Sequence, residues 1–232
     1  MADAPVSDEL RSKLALALDV DDLVVAIRLA RELKPYFGVA KVGLELYSAV
    51  GPDAIGAMAE LGYEVFVDVK LHDIPTTVGR AARVLGSIGA TYVTLHAHGG
   101  VAMLRAGVEG LAAGAEEAGL SQPCALAVTV LTSDADAPPH IVPKRVRISG
   151  EGGCGGIVCA ADDLKIVGEL APRMIKVVPG IRPEGAPADD QARVATPTEA
   201  LELGADLLVI GRAVTRAEDP AAAAAALTAA VA

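Results

Sequence analysis

Tryptophan is absent from this 232-residue chain, and aromatic residues make up only 3% of it. Core packing must therefore rest on Ala, Val, Leu and Ile, in a sequence that is 52% hydrophobic. Cysteine is equally scarce. Cys124, Cys154 and Cys159 form an odd set without a CxxC spacing and lie in or beside small apolar runs, which argues for reduced, buried thiols and a cytoplasmic protein. A basic surface is also missing: 20 Lys and Arg against 30 Asp and Glu leave a net charge of -10. Nucleic acid and anionic membranes reward a basic face, so neither is an expected partner. Any anionic ligand needs a local cluster of cations instead. The opening "MADAPVSDELRSK" shows no basic segment followed by an apolar one, so no signal peptide is expected. The closing "PAAAAAALTAAVA" is too short and too weakly apolar for a bilayer and reads as a terminal helix packed on the body. No GxxxxGK[ST] stretch supports nucleoside triphosphate chemistry.

What is present is an alternation of short apolar, β-branched runs with longer segments of helical period, the pattern of βα units around a parallel sheet. Eight strands are expected, at residues 14–20, 38–43, 64–70, 91–97, 124–131, 155–160, 174–180 and 206–211. Pro75 and Pro197 suit first-turn positions of helices, and Gly62, Gly89, Gly119 and Gly204 suit helix ends. Eight units in this length fit a single-domain (β/α)₈ TIM barrel over residues 1–232, ahead of a doubly wound open sheet. Between the fifth and sixth strands, "TSDADAPPHIVPKRVRISGEGG" reads as a loop followed by a short helix. The long polar stretch "PGIRPEGAPADDQARVATP" reads as a long loop at about 180–195, and such loops are usually functional or disordered; on the functional reading it is a lid over the phosphate.

In a parallel barrel the reactive groups stand at the carboxyl ends of the strands, so charges closing apolar runs carry meaning. The first strand closes on Asp19, the second carries Lys41, and the third ends in "VFVDVKLHDIP" with Asp68, Lys70 and Asp73. Asp68 and Lys70 are two apart, which on an extended chain projects both to one side, within reach of Lys41 on the neighbouring strand. An alternating array of ammonium and carboxylate groups results. An ordinary ion-pair network closing the barrel mouth would give the same spacing. Burying so many charges is costly where apolar packing would do, however, and that cost favours function. The fifth strand runs into Thr132, while Pro179, Gly180, Arg182, Gly211 and Arg212 follow the seventh and eighth. Glycine N–H groups at a helix start and arginine forks suit a phosphate, and this is where such barrels tend to hold one; two surface arginines are the plainer alternative.

Other signals are weaker. "GEGGCG" fits GxGxxG but precedes a strand, so it is a turn rather than a dinucleotide fingerprint. His96 and His98 fall on one side of a strand, as in zinc-binding barrels, yet only His72 and His140 could complete a site; a satisfied pair at the barrel mouth is the simpler reading. Asp134, Asp136, Asp189 and Asp190 read as solvated loop charge.

In order, "LALDV", "KVGLEL", "DVKLHDIPTTV", "HAHGG", "VLTS", "PGIR…DDQ…R" and "VIGR" closely resemble bacterial-type orotidine 5′-phosphate decarboxylases, from Leu14 to about Asp219. The resemblance implies a cofactor-free, metal-free carboxy-lyase converting orotidine monophosphate to UMP, the last step of pyrimidine biosynthesis. It implies a catalytic tetrad of Lys41, Asp68, Lys70 and Asp73, with Lys70 as proton donor. Asp19 and Lys41 are similar to ribose contacts, Thr132 to the group reading the pyrimidine edge, Gln191 to a lid residue, Arg182, Gly211 and Arg212 to the phosphate grip, and Pro179 to a further substrate contact. It further implies a homodimer in which Asp73 and Thr77 reach the partner's site. The broken stretch from "PPH" to "GGCG" departs from the family and puts the fifth βα unit in question. The rivals are a metal-dependent sugar-phosphate decarboxylase or aldolase of the same superfamily, which would place a carboxylate ligand where this chain has Lys41, and a non-catalytic phosphate-binding barrel. A Schiff-base aldolase is disfavoured because it needs a neutral amine, and carboxylate neighbours push Lys70 the other way.

Overall fold

The eight apolar runs become eight parallel strands that close on themselves in sequence order, β1 pairing with both β2 and β8. They are β1 (Leu14–Leu18), β2 (Val39–Gly43), β3 (Glu64–Leu71), β4 (Tyr92–His96), β5 (Cys124–Val128), β6 (Gly156–Val158), β7 (Ile175–Val178) and β8 (Leu207–Ile210). The computed structural model describes residues 6–134, 136–184 and 193–231. Helices follow each strand, so the architecture is the (β/α)₈ barrel expected from the alternation. Most expected strands run a few residues past their real ends. β5 stops at Val128 rather than 131; Thr129, just beyond it, donates both its backbone N–H and its hydroxyl to the Val158 carbonyl, at 3.1 and 2.9 Å.

Alternation within the strands sorts two cores. Leu14, Leu16 and Leu18 face the surrounding helices, among them Leu29 and Leu33 of the helix Leu23–Leu33. Ala15 and Ala17 face the barrel axis with Val39, Phe66, Leu126, Val128, Val177 and Val209. Phe66 is the large aromatic of that inner layer and meets Tyr92 edge-on, with ring centroids 6.2 Å apart. Small and branched side chains fill most of this inner layer, in keeping with the aromatic-poor composition.

Helix ends follow the local signals. Pro75 and Pro197 occupy the first turns of Pro75–Ser87 and Pro197–Glu202, and the latter has a complete capping box between Thr196 and Glu199. Gly62, Gly89, Gly119 and Gly204 have φ values of 76°, 90°, 68° and 94° just past helix ends, where a side chain would be strained. The alanine-rich helix Pro220–Ala229 packs Ala224 and Leu227 into the outer core, as expected of the terminal segment.

The fifth unit is a loop and then an 11-residue helix, Ile141–Glu151, more than the short helix expected from its prolines and glycines. Pro143 lies in the first turn, where a missing N–H has little consequence, and Val142, Val146 and Ser149 form a buried stripe at helical spacing. Arg145 of this helix donates to the Thr129 carbonyl, tying it to the end of β5. "GEGGCG" is the helix end and the turn into β6, with Gly153 at φ 81°.

The helices Pro75–Ser87 and Gly100–Glu117 lie unusually close. A Cβ on Gly110 would overlap the Gly79 carbonyl oxygen, and one on Gly114 the Arg83 carbonyl oxygen. Backbone therefore meets backbone, and this contact seats the helix Pro75–Ser87, which begins two residues after Asp73. Among the described residues no helix is long and apolar enough to cross a membrane.

Candidate active site

The carboxyl ends of the strands surround a cavity of about 270 Å³. Asp19, Lys41, Asp68, Lys70, Thr132, Pro179, Gly180, Arg182, Gly211 and Arg212, all singled out from the sequence, line it. Ala17, Phe66, Val128, Val158 and Val209, from the barrel's inner layer, form its apolar floor. A small ligand would therefore rest on apolar side chains with charged groups arranged around the rim, as binding sites generally do.

One edge is a line of alternating charge. Lys41 Nζ is 3.0 Å from Asp19 Oδ1 and 3.6 Å from Asp68 Oδ2, and Lys70 Nζ is 2.8 Å from Asp68 Oδ1. Lys41 is almost fully enclosed, so its charge depends on these carboxylates. Gly43 makes room for the pairing, since a Cβ there would fall 2.8 Å from Asp19 Oδ1 and 2.9 Å from Lys41 Nζ. Burial pushes the Asp68 carboxyl up, but the Lys41 and Lys70 ammonium groups and hydrogen bonds from Lys70 and Thr94 outweigh it and hold it below the usual carboxylate range.

Asp68 and Lys70 share the cavity, but not because β3 is regularly extended there. Val67 pairs with Val93 and Leu71 with Leu95, so three residues of β3, Asp68 to Lys70, lie opposite Thr94 alone. Lys70 takes φ 48°, the one positive φ outside glycine among the described residues. A long side chain in that region costs about 1–3 kcal/mol and persists only where surrounding contacts enforce it. The bulge aims Lys70 at Asp68.

Asp73 and Thr77 do not line the cavity. Both are exposed, and Asp73 Oδ1 accepts the Ile74 N–H at 2.6 Å, at the start of the helix Pro75–Ser87. Gln191 lies outside the described residues. The described flanks of its segment are anchored: Arg182 N–H donates to the Ala195 carbonyl at 2.9 Å, and Arg193 reaches Asp163 at 2.8 Å and the Leu131 carbonyl at 3.3 Å. Arg182 is buried beside the cavity, and its guanidinium also donates to the Ile181 carbonyl at 2.9 Å.

His96 ends β4, whereas His98 sits beyond the strand in a short 3₁₀ turn, which corrects the expectation of two imidazoles on one strand face. The rings of His72, His96 and His98 lie 5.4–6.3 Å apart, and Arg145 Nη2 is 3.5 Å from His98 Nδ1. Among the described residues no three His, Cys, Asp or Glu side chains are arranged to hold a metal. The three cysteines are unpaired, and burial pushes their thiols up to about 11 for Cys124 and about 12 for Cys154 and Cys159, so they stay protonated. Sequence reasoning missed Thr94 and the apolar floor. A single hydroxyl inside the apolar run "YVTLH" was the available signal for the former.

A closed parallel barrel whose strand ends join a buried charge array to two arginines defines a barrel enzyme for a small anionic substrate. The chain belongs to the orotidine 5′-phosphate decarboxylase / HUMPS family, whose sequence pattern matches residues 12–227. It is 45% identical to the orotidine 5′-phosphate decarboxylase of Anaeromyxobacter sp. (strain K), over 94% of this chain and 97% of that one. The Moorella thermoacetica protein of the same name is 41% identical over 94% and 92%. The crystal structure of the Lactobacillus acidophilus orotidine 5′-phosphate decarboxylase superposes with a TM-score of 0.80 at 34% identity, covering 94% of this chain and 98% of that one.

Proposed function

We propose that this protein decarboxylates orotidine 5′-monophosphate to UMP without a cofactor. The observation that carries the reading is the charge line Asp19, Lys41, Asp68 and Lys70 on the same cavity as Arg182 and Arg212. Lys41 stands on β2 where a metal-dependent relative would need a carboxylate, and a merely phosphate-binding barrel would have no use for the buried charges. Relatives at 41–45% identity that carry the decarboxylase name favour the same choice.

The arginines and the Gly211 backbone grip the phosphate, Asp19 and Lys41 take the ribose hydroxyls, and Thr132 reads the pyrimidine edge. Breaking the bond from the sixth ring carbon to its carboxylate releases CO₂ and leaves an electron pair on that carbon. The ring delocalises this pair poorly, so fixed charge must stabilise it. The Lys70 ammonium beside it offers both the positive charge and the proton that forms the new C–H bond. Asp68 keeps that ammonium in place and crowds the departing carboxylate. Phosphate binding, remote from the reacting carbon, supplies free energy for this crowding.

The second subunit belongs to the same proposal. Asp73 and Thr77 are exposed beside Ile74, an apolar side chain that is 66% exposed, and together they form a face suited to a second copy. In the homodimer Asp73 completes the tetrad of the partner's site. The lid role of about 180–195, with Gln191 over base and phosphate, and a cytoplasmic location rest on the sequence resemblance and the unpaired cysteines.

Loss of orotidine monophosphate absorbance on mixing with the pure protein, unchanged by a chelator, tests the reaction; no loss sinks it. Lys70→Ala should abolish turnover and leave UMP binding largely intact, and substantial turnover there removes the proton-donor role. Mixing Lys70→Ala with Asp73→Ala subunits should restore activity through hybrid dimers carrying one intact site. A mixture as inactive as its parts counts against the shared site.

A further inference from the structure

We infer that Thr94 is a positioning residue for the decarboxylation proposed above, holding the β3 bulge so that Lys70 and Asp68 stand in reactive register. This inference rests on that reading of the site. Thr94 lies in the middle of β4, is fully buried, and its neighbours on the strand are Val93 and Leu95. A hydroxyl in such a place must have partners, and both of its partners belong to the charge array. The Lys70 backbone N–H donates to Thr94 Oγ1 at 2.9 Å, and Thr94 Oγ1 donates to Asp68 Oδ1 at 3.1 Å.

The geometry explains why a hydroxyl is needed here. With three residues of β3 opposite one of β4, the regular ladder leaves the Lys70 N–H without a carbonyl partner. The Thr94 oxygen takes that place and so pins Lys70 at φ 48°. The same oxygen carries one hydrogen, which points to the carboxylate that Lys70 Nζ also contacts at 2.8 Å. Backbone and side-chain ends of Lys70 are therefore tied through one buried atom, directly or through Asp68. Thr94 does not line the cavity and would not touch substrate.

Thr94→Val keeps the shape and removes both bonds, whereas Thr94→Ser keeps both bonds and loses a methyl. The two variants are compared with the wild type for orotidine monophosphate turnover and for UMP binding by calorimetry. Displacing a reacting group by about 1 Å costs on the order of 100-fold, so kcat of Thr94→Val should fall roughly 30- to 100-fold, with the UMP Kd within about threefold of wild type. Thr94→Ser should keep at least about a third of the wild-type kcat. Should the valine variant not fold, Thr94→Cys, whose thiol is a weak donor and acceptor, is read by the same criteria. A kcat within about threefold of wild type, a parallel loss of UMP binding, or a serine variant as poor as valine overturns the positioning role alone. A wild-type protein without turnover overturns the substrate reading, and this inference with it.

Discussion

Neutralising Asp68 should destabilise the unliganded protein far more than a typical surface substitution. Asp68→Asn keeps the shape of the side chain and removes the charge between two ammonium groups at 2.8 and 3.6 Å. At an effective dielectric constant of about 20, those distances correspond to gross attractions of roughly 6 and 5 kcal/mol. Desolvation of the carboxylate already offsets much of this in the native protein. The remaining partner for Lys41 is Asp19, which is half exposed, while Lys41 itself is 9% exposed at the side chain. Removing one member of such a buried group costs about 3–5 kcal/mol, which in a chain of this size lowers Tm by about 6–20 °C. The assay is thermal unfolding in phosphate-free buffer of Asp68→Asn, Lys70→Met and the double variant. Lys70→Met removes one of the two ammonium groups left facing each other, so the double variant should be more stable than the two single losses predict, by about 1–3 kcal/mol. An Asp68→Asn protein melting within about 2 °C of wild type, or strictly additive losses, would refute the idea that Asp68 compensates these charges.

Two further outcomes follow from packing and from titration. Gly114→Ala drives a methyl into the Arg83 carbonyl oxygen; overpacking costs about 1–3 kcal/mol and the better helix propensity returns at most about 1 kcal/mol, so urea unfolding should show a net loss, and a gain would mean the helices have room to separate. His96 is pushed down to about 4, first by burial and then by the nearby Arg145, His72, His98 and Lys70 charges. The unfolded chain then binds a proton as pH falls below about 6.5 while the folded one does not, so stability is lost from there down to about 4. The ring is half-buried and solvent screens part of the effect, leaving about 1 kcal/mol. The stability gap between wild type and His96→Gln should shift by that amount between pH 7 and pH 4.5, and a constant gap would contradict the assignment.

Much of the fold was legible because each barrel strand carries its own punctuation. A run such as "LALAL" is apolar on both faces because one side meets helices and the other the barrel axis, and prolines and glycines mark the helix ends that follow. The fifth unit was harder to read. Its helix opens with Pro143 and runs into the glycines of "GEGGCG", residues that suggest a break, while the buried stripe that stabilises it is Val142, Val146 and Ser149. Tertiary contact, including Arg145 on the Thr129 carbonyl, decided what local propensity did not. The glycine contact between Pro75–Ser87 and Gly100–Glu117 was invisible for a related reason: a glycine in a helix looks like a weakness until the carbonyl it admits is known.

At the site, residue types were legible and backbone conformation was not. Strand-end charges pointed to Lys41, Asp68 and Lys70, and a period of two appeared sufficient to bring the last two together. The actual route runs through a bulge and a left-handed lysine, a conformation that nothing in "DVKL" encodes. Its cause lies on the neighbouring strand, in the hydroxyl of Thr94. A regular β3 would place Lys70 where strand pairing dictates, whereas a bulge frees it to be placed by side-chain contacts, at the expense of local strain. The strained residue falls within positions 68 to 70, at one end of a charge line that continues through Lys41 on β2 to Asp19. The strain is confined to the one turn of chain where Lys70 must be held still, and the rest of the barrel carries the stability that tolerates it.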